Sequence, residues 1–321
     1  MNTTFDTSLT QMLGIKFPII MAPMFLVSNT RMMIAAGKAG IAGCIPALNF
    51  RTIKEFKNAL REMNEANAGP IGINLIVNKS NIRLEEQLDA CIEYKVDFII
   101  TSLGSPEEVI RRCKPEGIKI FCDVVDVTYA QKVEQLGADA LIAVNSYAGG
   151  HAGNMKAEEL IPLLKKNCSL PIISAGGVGT YEEMQKMLDL GACGVSVGSI
   201  FIASVESGVS DDYKQAIIQY GEKDIVMTTK LSGTPCTVIN TPYVQSIGTK
   251  QNLIERILNK NKRLKKWAKM ITFFRGMKAL EKAAFSATYQ TLWCAGPSIE
   301  HVHYIRSVKD IVDTLTGENR N

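Results

Sequence analysis

Short apolar runs alternate with longer amphipathic segments from residue 18 to about residue 204. The apolar runs are rich in β-branched residues, whereas the segments between them carry charged residues and apolar residues at helical spacing. Apolar strands that are each followed by a helix are typical of a parallel sheet buried on both faces. There are eight apolar runs, at Pro18–Met24, Ala42–Ala47, Ile71–Val77, Phe98–Ser102, Ile118–Val124, Ala140–Asn145, Pro171–Gly176 and Gly194–Gly198.

Eight strand-and-helix units predict a closed (β/α)₈ TIM barrel, because an open doubly wound sheet more often has about five or six strands. The turn after the first strand, Ala22-Pro23-Met24-Phe25, also lacks the G-x-G-x-x-G sequence of a dinucleotide-binding fold. The eighth strand is not followed at once by its helix, so we expect Ile305–Leu315 to close the barrel. We therefore predict an α/β barrel over residues 1–204 plus 293–321. A mostly helical insertion over residues 205–292 should cover its C-terminal face, where barrel enzymes build their active sites.

The composition is that of an ordinary globular protein, with 46% hydrophobic and 21% charged residues in a chain of 321. Its eight cysteines show no C-x-x-C spacing and no histidine at metal-ligand spacing, so we expect no metal and a reducing cytoplasmic location. The opening residues do not resemble a signal peptide. The longest charge-free apolar stretch, Leu190–Val205, is interrupted by glycine and serine, so we expect no membrane helix.

A basic segment lies between Lys250 and Lys282, although the whole chain has a net charge of only +4. The segment contains eleven basic and two acidic residues, a local charge of +9. Apolar residues recur through it at helical spacing, so one helix face should pack against the protein. The other face is interpreted first as a solvated surface, then as a dock for an acidic partner and last as a nucleic-acid patch. We expect no nucleic-acid partner.

Glycine-rich turns follow the seventh and eighth predicted strands. They read Ser174-Ala175-Gly176-Gly177-Val178-Gly179 and Gly198-Ser199. In a TIM barrel these two turns commonly bind phosphate, because glycines let backbone N–H groups approach the oxygens and a short helix adds a favourable dipole. Glycines also serve simply to make tight turns, but a matched pair at these two strands favours a phosphate-bearing ligand.

His151 lies among glycines in the segment Asn145–Asn154, after the sixth predicted strand. An isolated histidine is more often structural. Here the glycines would let the backbone approach a ligand, and an imidazole at the catalytic face of a barrel can exchange protons near neutral pH. We therefore expect a functional role for His151, and a structural role for His301 and His303 beside the closing helix.

Taken together, these motifs resemble the nitronate monooxygenase family, formerly called 2-nitropropane dioxygenases. That family also includes flavin-dependent enoyl-acyl-carrier-protein reductases. The resemblance extends nearly from end to end of the chain. It is carried by Ala22-Pro23-Met24, Gly72–Leu75, Ala148–Gly153, Ala175–Gly177, Gly191–Ser199, Ser232–Pro235 with Asn240, and Trp293–Gly296.

The resemblance implies one FMN per barrel, with His151 near the reactive nitrogen of the flavin as the catalytic base or hydrogen-bond donor. The residues implied at the isoalloxazine are Ala22, Pro23, Met24, Asn74, Gly149 and Gly150, and those implied at the phosphate are Ala175, Gly176, Gly177, Gly198 and Ser199.

The family reaction oxidises an alkyl nitronate with FMN and O₂ to a carbonyl compound and nitrite, and the resemblance also implies a homodimer. One alternative is an FMN-dependent NAD(P)H oxidoreductase of enoyl or quinone substrates, for which the basic segment would dock an acidic carrier protein. A second alternative is a module that binds FMN or another phosphate ligand without turnover.

Three residues depart from the family pattern. Asp123, at the end of the fifth strand, occupies a position where some nitronate monooxygenases carry a flavin-contacting lysine, and an acid there would disfavour an anionic reduced flavin. Asn145 replaces a usual glycine, and Tyr147 replaces a frequent acidic residue. Tyr147 would either donate a hydrogen bond to an anionic substrate or only pack. These departures leave FMN binding expected and the substrate open.

Overall fold

The computed structural model of the chain describes residues 5–229, 235–250 and 292–319. Within them, eight parallel strands form a closed barrel, and the pairing of the last strand with the first, Ser196 opposite Ile20, completes the ring. Each predicted apolar run contains one of these strands, so the predicted TIM barrel is confirmed. The barrel strands are β1 (Ile19–Met21), β2 (Ala42–Pro46), β3 (Ile71–Ile76), β4 (Phe98–Ser102), β5 (Lys119–Val124), β6 (Ala140–Val144), β8 (Ile172–Ala175) and β9 (Gly194–Val197), and a short strand, β7 (Gly150–His151), lies outside the barrel.

Helices follow the barrel strands and cover the outside of the barrel. Several begin at a capping box, as at Thr52 with Glu55 and at Thr180 with Glu183. The closing helix begins after Ser307, which forms a capping box with Asp310, three residues later than predicted. The helices are α1 (Ser8–Leu13), α2 (Thr30–Lys38), α3 (Ile53–Ala66), α4 (Leu84–Glu93), α5 (Glu107–Cys113), α6 (Val127–Leu136), α7 (Ala157–Asn167), α8 (Tyr181–Asp189), α9 (Asp211–Gln219), α10 (Pro242–Ile247) and the closing helix α11 (Val308–Thr316).

The interior of the barrel is filled at its N-terminal end. Leu9 of α1 is fully buried and packs against the barrel-interior side chains, where it meets Gly194 at the start of β9. A side chain at Gly194 would overlap Leu9, so a glycine is required there. The rings of Phe98 and Phe121 belong to the same buried cluster as Leu9 and stack with their centroids 5.3 Å apart. The cavity described below lies at the opposite, C-terminal ends of the strands.

The described part of the insertion contains a small antiparallel sheet as well as the helices α9 and α10. Its strands β10 (Ile225–Thr228) and β11 (Cys236–Ile239) pair with each other, and β11 also pairs with β7 in the loop after β6. This sheet was not predicted. It joins the insertion directly to the segment that carries His151. The division into a barrel over residues 1–204 plus 293–321 and an insertion over residues 205–292 remains a proposal.

The basic segment lies, after Lys250, outside the described residues, as do most of the Ser232–Pro235 motif and part of the predicted helical insertion. Among the helices that the structure describes, none is long and apolar enough to cross a membrane.

Candidate active site

A cavity of about 880 Å³ opens at the C-terminal ends of the barrel strands. This volume lies in the range of ligand and cofactor sites, and the position is the one where TIM barrels place their active sites. The loops after several barrel strands form most of the wall, and the insertion adds Pro235, Cys236 and Leu292. Every residue predicted for the site lines this cavity, namely Ala22, Pro23, Met24, Asn74, Gly149, Gly150, His151, Ala175, Gly176, Gly177, Gly198 and Ser199.

The wall segment after β1, Ala22–Met24, is held by an asparagine that the sequence analysis missed. The side-chain amide of Asn49 donates hydrogen bonds to the carbonyl oxygens of Met24 (3.2 Å) and Ser28 (2.8 Å). Its oxygen accepts from the N–H of Leu26 at 2.9 Å, and Leu26 has a left-handed backbone with a φ of 58°. Asn49 thus stabilises the turn that places Met24 in the cavity wall.

A row of polar groups crosses the mouth of the barrel from β3 to β5. Asn74 donates from its side-chain amide to Ser102 Oγ at 2.8 Å and to the carbonyl oxygen of Ile100 at 3.1 Å. Ser102 Oγ in turn donates to Asp123 Oδ2 at 2.5 Å. Because these bonds use the N–H groups of Asn74, this residue would offer a ligand its amide oxygen, which is an acceptor.

Asp123 is the ionisable group at the end of this row, and it lines the cavity. Burial raises its pKa from the ordinary value of 3.8 to about 6, and the hydrogen bond from Ser102 opposes that rise. A carboxyl group with such a pKa changes its charge within the working range of most enzymes. Asp123 is therefore a candidate proton-exchanging group as well as a departure from the family pattern.

His151 lies on β7, directly opposite Cys236 of β11. Its side chain is accessible from the cavity, yet the surrounding protein desolvates it and lowers its pKa below the ordinary value of 6.5. At neutral pH the imidazole is therefore uncharged and able to accept a proton. The neighbouring Thr237 hydroxyl hydrogen-bonds the carbonyl oxygens of Ala148 (2.5 Å) and Gly150 (3.3 Å). The insertion thus fixes the loop that presents His151.

The glycine-rich turn after β8 lies against the loop after β6. Gly176 and Gly177 have left-handed backbones, with φ angles of 113° and 77°. A Cβ at Gly176 would lie 2.5 Å from Asn145 Oδ1 and would overlap the backbone nitrogen of Ala148. A Cβ at Gly177 would lie 2.9 Å from the Cβ of Tyr147. Glycine is required at these positions because the two loops meet, in addition to any need of a ligand.

Asn145 links these two loops, a role that its departure from the family glycine did not predict. Its side chain is almost fully buried. The amide donates to the carbonyl oxygen of Gly176 at 3.1 Å, and its oxygen accepts from the N–H of Tyr147 at 2.8 Å. The Tyr147 side chain lies beside Gly177 and also lines the cavity, so packing and hydrogen bonding to a substrate both stay predictions for this residue.

The turn after β9 completes the glycine-lined end of the cavity. The Ser199 hydroxyl accepts a hydrogen bond from the N–H of Gly296 at 2.8 Å, which leaves its own proton to be donated to a ligand oxygen. A Cβ at Gly149 would lie 2.7 Å from Ser199 Oγ. The loops after β6, β8 and β9 therefore converge on one place at the cavity.

These features fit the FMN implied by the sequence. A flavin ring needs an apolar surface and polar partners at its edge, and the wall offers the Ala22–Met24 segment and the amide oxygen of Asn74. A phosphate needs donors at a glycine-lined turn, and the convergent loops offer Ser199 and the left-handed glycines 176 and 177.

His301 contacts the first turn of α8, where its Nε2 is 3.0 Å from Glu183 Oε1. Glu183 is also the capping-box residue of that helix, so this contact has the structural character expected for His301.

Comparison with known proteins places the chain in a family. A sequence profile of the nitronate monooxygenase family matches residues 6–318. A probable nitronate monooxygenase from Staphylococcus haemolyticus is 27% identical to the chain over 288 residues, which cover 76% of the chain and 80% of the relative. A (3aS,4S,5R,7aS)-5-hydroxy-7a-methyl-1-oxo-octahydro-1H-indene-4-carboxyl-CoA dehydrogenase from Rhodococcus jostii is 27% identical over 263 residues, which cover 81% of the chain and 74% of the relative.

Solved structures are similar over the whole barrel. FabK from Thermotoga maritima superposes with a TM-score of 0.86 at 27% identity and covers 99% of this chain and 97% of its own. A nitroalkane oxidase from Streptomyces ansochromogenes superposes with a TM-score of 0.81, over 97% of this chain and 98% of its own, but its 19% identity supports the fold alone. Because the family profile spans nearly the whole sequence, the chain is an oxidoreductase that belongs to the nitronate monooxygenase family.

Proposed function

We propose that the protein is an FMN-dependent nitronate monooxygenase that oxidises alkyl nitronates with O₂ to carbonyl compounds and nitrite. The main support for the proposal is that all the predicted cofactor residues and His151 line the same cavity. These residues come from segments far apart in sequence, and the family match extends through all of them.

The chain would hold FMN through the two ends of the cavity. Ala22, Pro23 and Met24 would contact the ring, and the Asn74 amide oxygen would accept a hydrogen bond from its pyrimidine side. Ser199 and the glycine-rich turn at Gly176 would bind the phosphate. When bound, FMN supplies the electron transfer between the substrate and O₂.

The remaining wall would bind the nitronate, which is an anion and needs donors at its oxygens. His151 is uncharged at neutral pH, because burial lowers its pKa, and its imidazole would exchange a proton with the bound substrate. The apolar lining of Val144 and Leu292 would exclude water from the alkyl group.

The FMN-loaded protein should consume O₂ with an alkyl nitronate and release one nitrite per carbonyl compound without NAD(P)H. We predict that His151→Ala retains FMN and lowers kcat by about 10²- to 10⁴-fold, the usual contribution of a proton-exchanging group. Oxygen uptake, a nitrite assay and the flavin absorbance of the purified variants measure these quantities.

His303→Ala is the matched control, because His303 is exposed and lies away from the cavity. This control should behave as the wild type. An unchanged kcat in His151→Ala would remove His151 from the mechanism, and a lack of nitrite with a fully FMN-loaded wild type would contradict the proposed reaction.

A second candidate is an FMN-dependent NAD(P)H oxidoreductase of enoyl or quinone substrates. The observation that favours it is Asp123, because a carboxyl group with a pKa of about 6 is largely ionised at neutral pH and repels an anionic substrate. The names of two relatives, a carboxyl-CoA dehydrogenase and FabK, are compatible with it. Oxidation of NADH or NADPH by the protein, stimulated by an acyl thioester, would support this candidate.

Three further parts of the proposal concern partners and location. Under the second candidate, an acidic carrier protein would dock on the basic segment between Lys250 and Lys282. We also propose a homodimer, which sedimentation of the purified protein would test. A cytoplasmic location is proposed because all eight cysteines are free in the structure.

A further inference from the structure

Two cysteine thiols face each other in the wall of the cavity. Cys236 Sγ lies 3.7 Å from Cys294 Sγ, and both residues line the cavity. A disulfide bond has an S–S distance of about 2.05 Å, so closure needs the sulfurs to approach by only about 1.7 Å. Cys236 itself is buried, whereas Cys294 is partly exposed, so a small solute in the cavity reaches the pair through Cys294.

The fold holds the two thiols together, although they are 58 positions apart. Cys294 forms an antiparallel bridge with Val238 of β11, two residues beyond Cys236. The N–H of Ile239 donates to the carbonyl oxygen of Trp293 at 2.9 Å, and the Tyr213 hydroxyl donates to that of Cys294 at 2.6 Å. These backbone contacts fix the segment around residue 294 against β11, so the juxtaposition of the thiols is built into the fold.

The surroundings of Cys236 favour the protonated form of its thiol. The contact with Cys294 raises the pKa of Cys236, and burial raises it further. A thiol that is kept protonated reacts slowly with alkylating reagents, but a second thiol in contact with it can trap an oxidised partner.

We propose that Cys236 and Cys294 form a peroxide-sensitive dithiol that closes to a disulfide in the cavity wall. The Cys294 sulfur attacks hydrogen peroxide, the O–O bond breaks, and the products are a sulfenic acid and one water. The Cys236 sulfur then displaces the hydroxyl group of the sulfenic acid as a second water. The two thiols lose two electrons and two protons, and one peroxide is reduced to two waters.

Formation of the Cys236–Cys294 disulfide would alter the part of the cavity wall that contains His151. Cys236 lies opposite His151 in the pairing of β11 with β7, and the next residue, Thr237, hydrogen-bonds the loop before His151. A movement of Cys236 toward Cys294 would therefore shift the strand that positions His151. This inference depends on the thiols and not on the identity of the substrate.

The test is to treat the purified, cofactor-loaded protein with hydrogen peroxide, quench it with acid, alkylate the free thiols and map the peptides by mass spectrometry. The expected result is the loss of two of the eight free thiols and of about 2 Da, with a cross-link between the peptides of Cys236 and Cys294. Dithiothreitol should restore both thiols. Phenylarsine oxide, which bridges paired thiols, should bind to the reduced protein and protect the same two cysteines.

Variants distinguish this pair from the other thiols. Cys294→Ser should abolish the cross-link, whereas Cys168→Ser, which removes a partly exposed thiol away from the cavity, should leave it unchanged. Two results on the wild type would overturn the proposal, whether or not the variants fold. One is sulfinic acid at Cys294 with Cys236 still alkylated, and the other is retention of all eight thiols under excess peroxide.

Discussion

The burial of Asp123 in the cavity wall lowers the free energy of unfolding of the protein when its carboxyl group is ionised. Its carboxyl group titrates near pH 3.8 in the unfolded chain and near pH 6 in the folded protein, because burial disfavours the charged form. The folded state therefore binds the proton more tightly than the unfolded state does. It follows that the free energy of unfolding decreases as the pH rises from about 4 to about 6, and that the full cost is present above pH 6.

We predict that Asp123→Asn stabilises the FMN-free protein at pH 8 by about 1 to 3 kcal/mol, because the side chain no longer ionises and its oxygen still accepts the hydrogen bond from Ser102. At pH 4 the variant and the wild type should be about equally stable. Urea unfolding at the two pH values measures the difference. The same stability difference at both pH values would show that Asp123 has no raised pKa in the folded state.

The sequence alone predicted the position of some site residues but not of others. His151 was expected at the cavity because it follows a barrel strand among glycines, and the structure places it there. Asn49 was not noticed, and Asn145 was noticed only as a departure from the family. Their hydrogen bonds reach Met24 and Gly176, which are 25 and 31 positions away, and no local pattern marks such a contact.

At the scale of elements, the turns after β6, β8 and β9 depend on one another. We predict that Gly176→Ala weakens FMN binding at least tenfold, because the added Cβ meets Asn145 and the backbone of Ala148, which cannot move without opening the glycine-lined end of the cavity. Fluorescence titration of the FMN-free variant measures the Kd.

Gly117→Ala is the matched control for this prediction. Gly117 also has a left-handed backbone, with a φ of 81°, but a Cβ there would meet no atom within 4 Å. The control should lose about 1 kcal/mol of stability from backbone strain and keep its affinity for FMN. Equal FMN affinity in the two variants would show that the crowding at Gly176 is unrelated to cofactor binding.

The barrel elements were predictable because their signals are local. Each barrel strand is a short apolar run, and several helices begin at a capping box that can be read within four residues, as at Thr52 and Thr180. The sheet of β7, β10 and β11 was not predictable in this way. Its strands are two to four residues long, and its pairing joins Gly150 to Thr237 across a large part of the chain.

At the scale of the whole molecule, one end of the barrel is packed with side chains and the other end contains the cavity. The N-terminal end is closed by Leu9 and the stacked rings of Phe98 and Phe121, whose burial stabilises the fold. The C-terminal end is left open as the cavity, and the insertion supplies part of its wall through Cys236 and Leu292. The candidate site thus depends on both the barrel and the insertion.

Similarity over the whole chain shows that the protein belongs to the nitronate monooxygenase family but does not identify its substrate. A probable nitronate monooxygenase, a carboxyl-CoA dehydrogenase and FabK are each 27% identical to the chain. The choice between nitronate and nicotinamide as the reductant of FMN must therefore be made from the cavity, where His151 favours the former and Asp123 the latter.

The most direct test is to mix the FMN-loaded protein anaerobically with an alkyl nitronate and, separately, with NADH or NADPH, and to follow the visible flavin absorbance by stopped flow. We predict that the nitronate alone reduces the flavin at a rate at least equal to kcat, and that neither nicotinamide does so on that timescale. Rapid reduction by NADH or NADPH, with no reaction of the nitronate, would contradict the proposed function and favour the reductase.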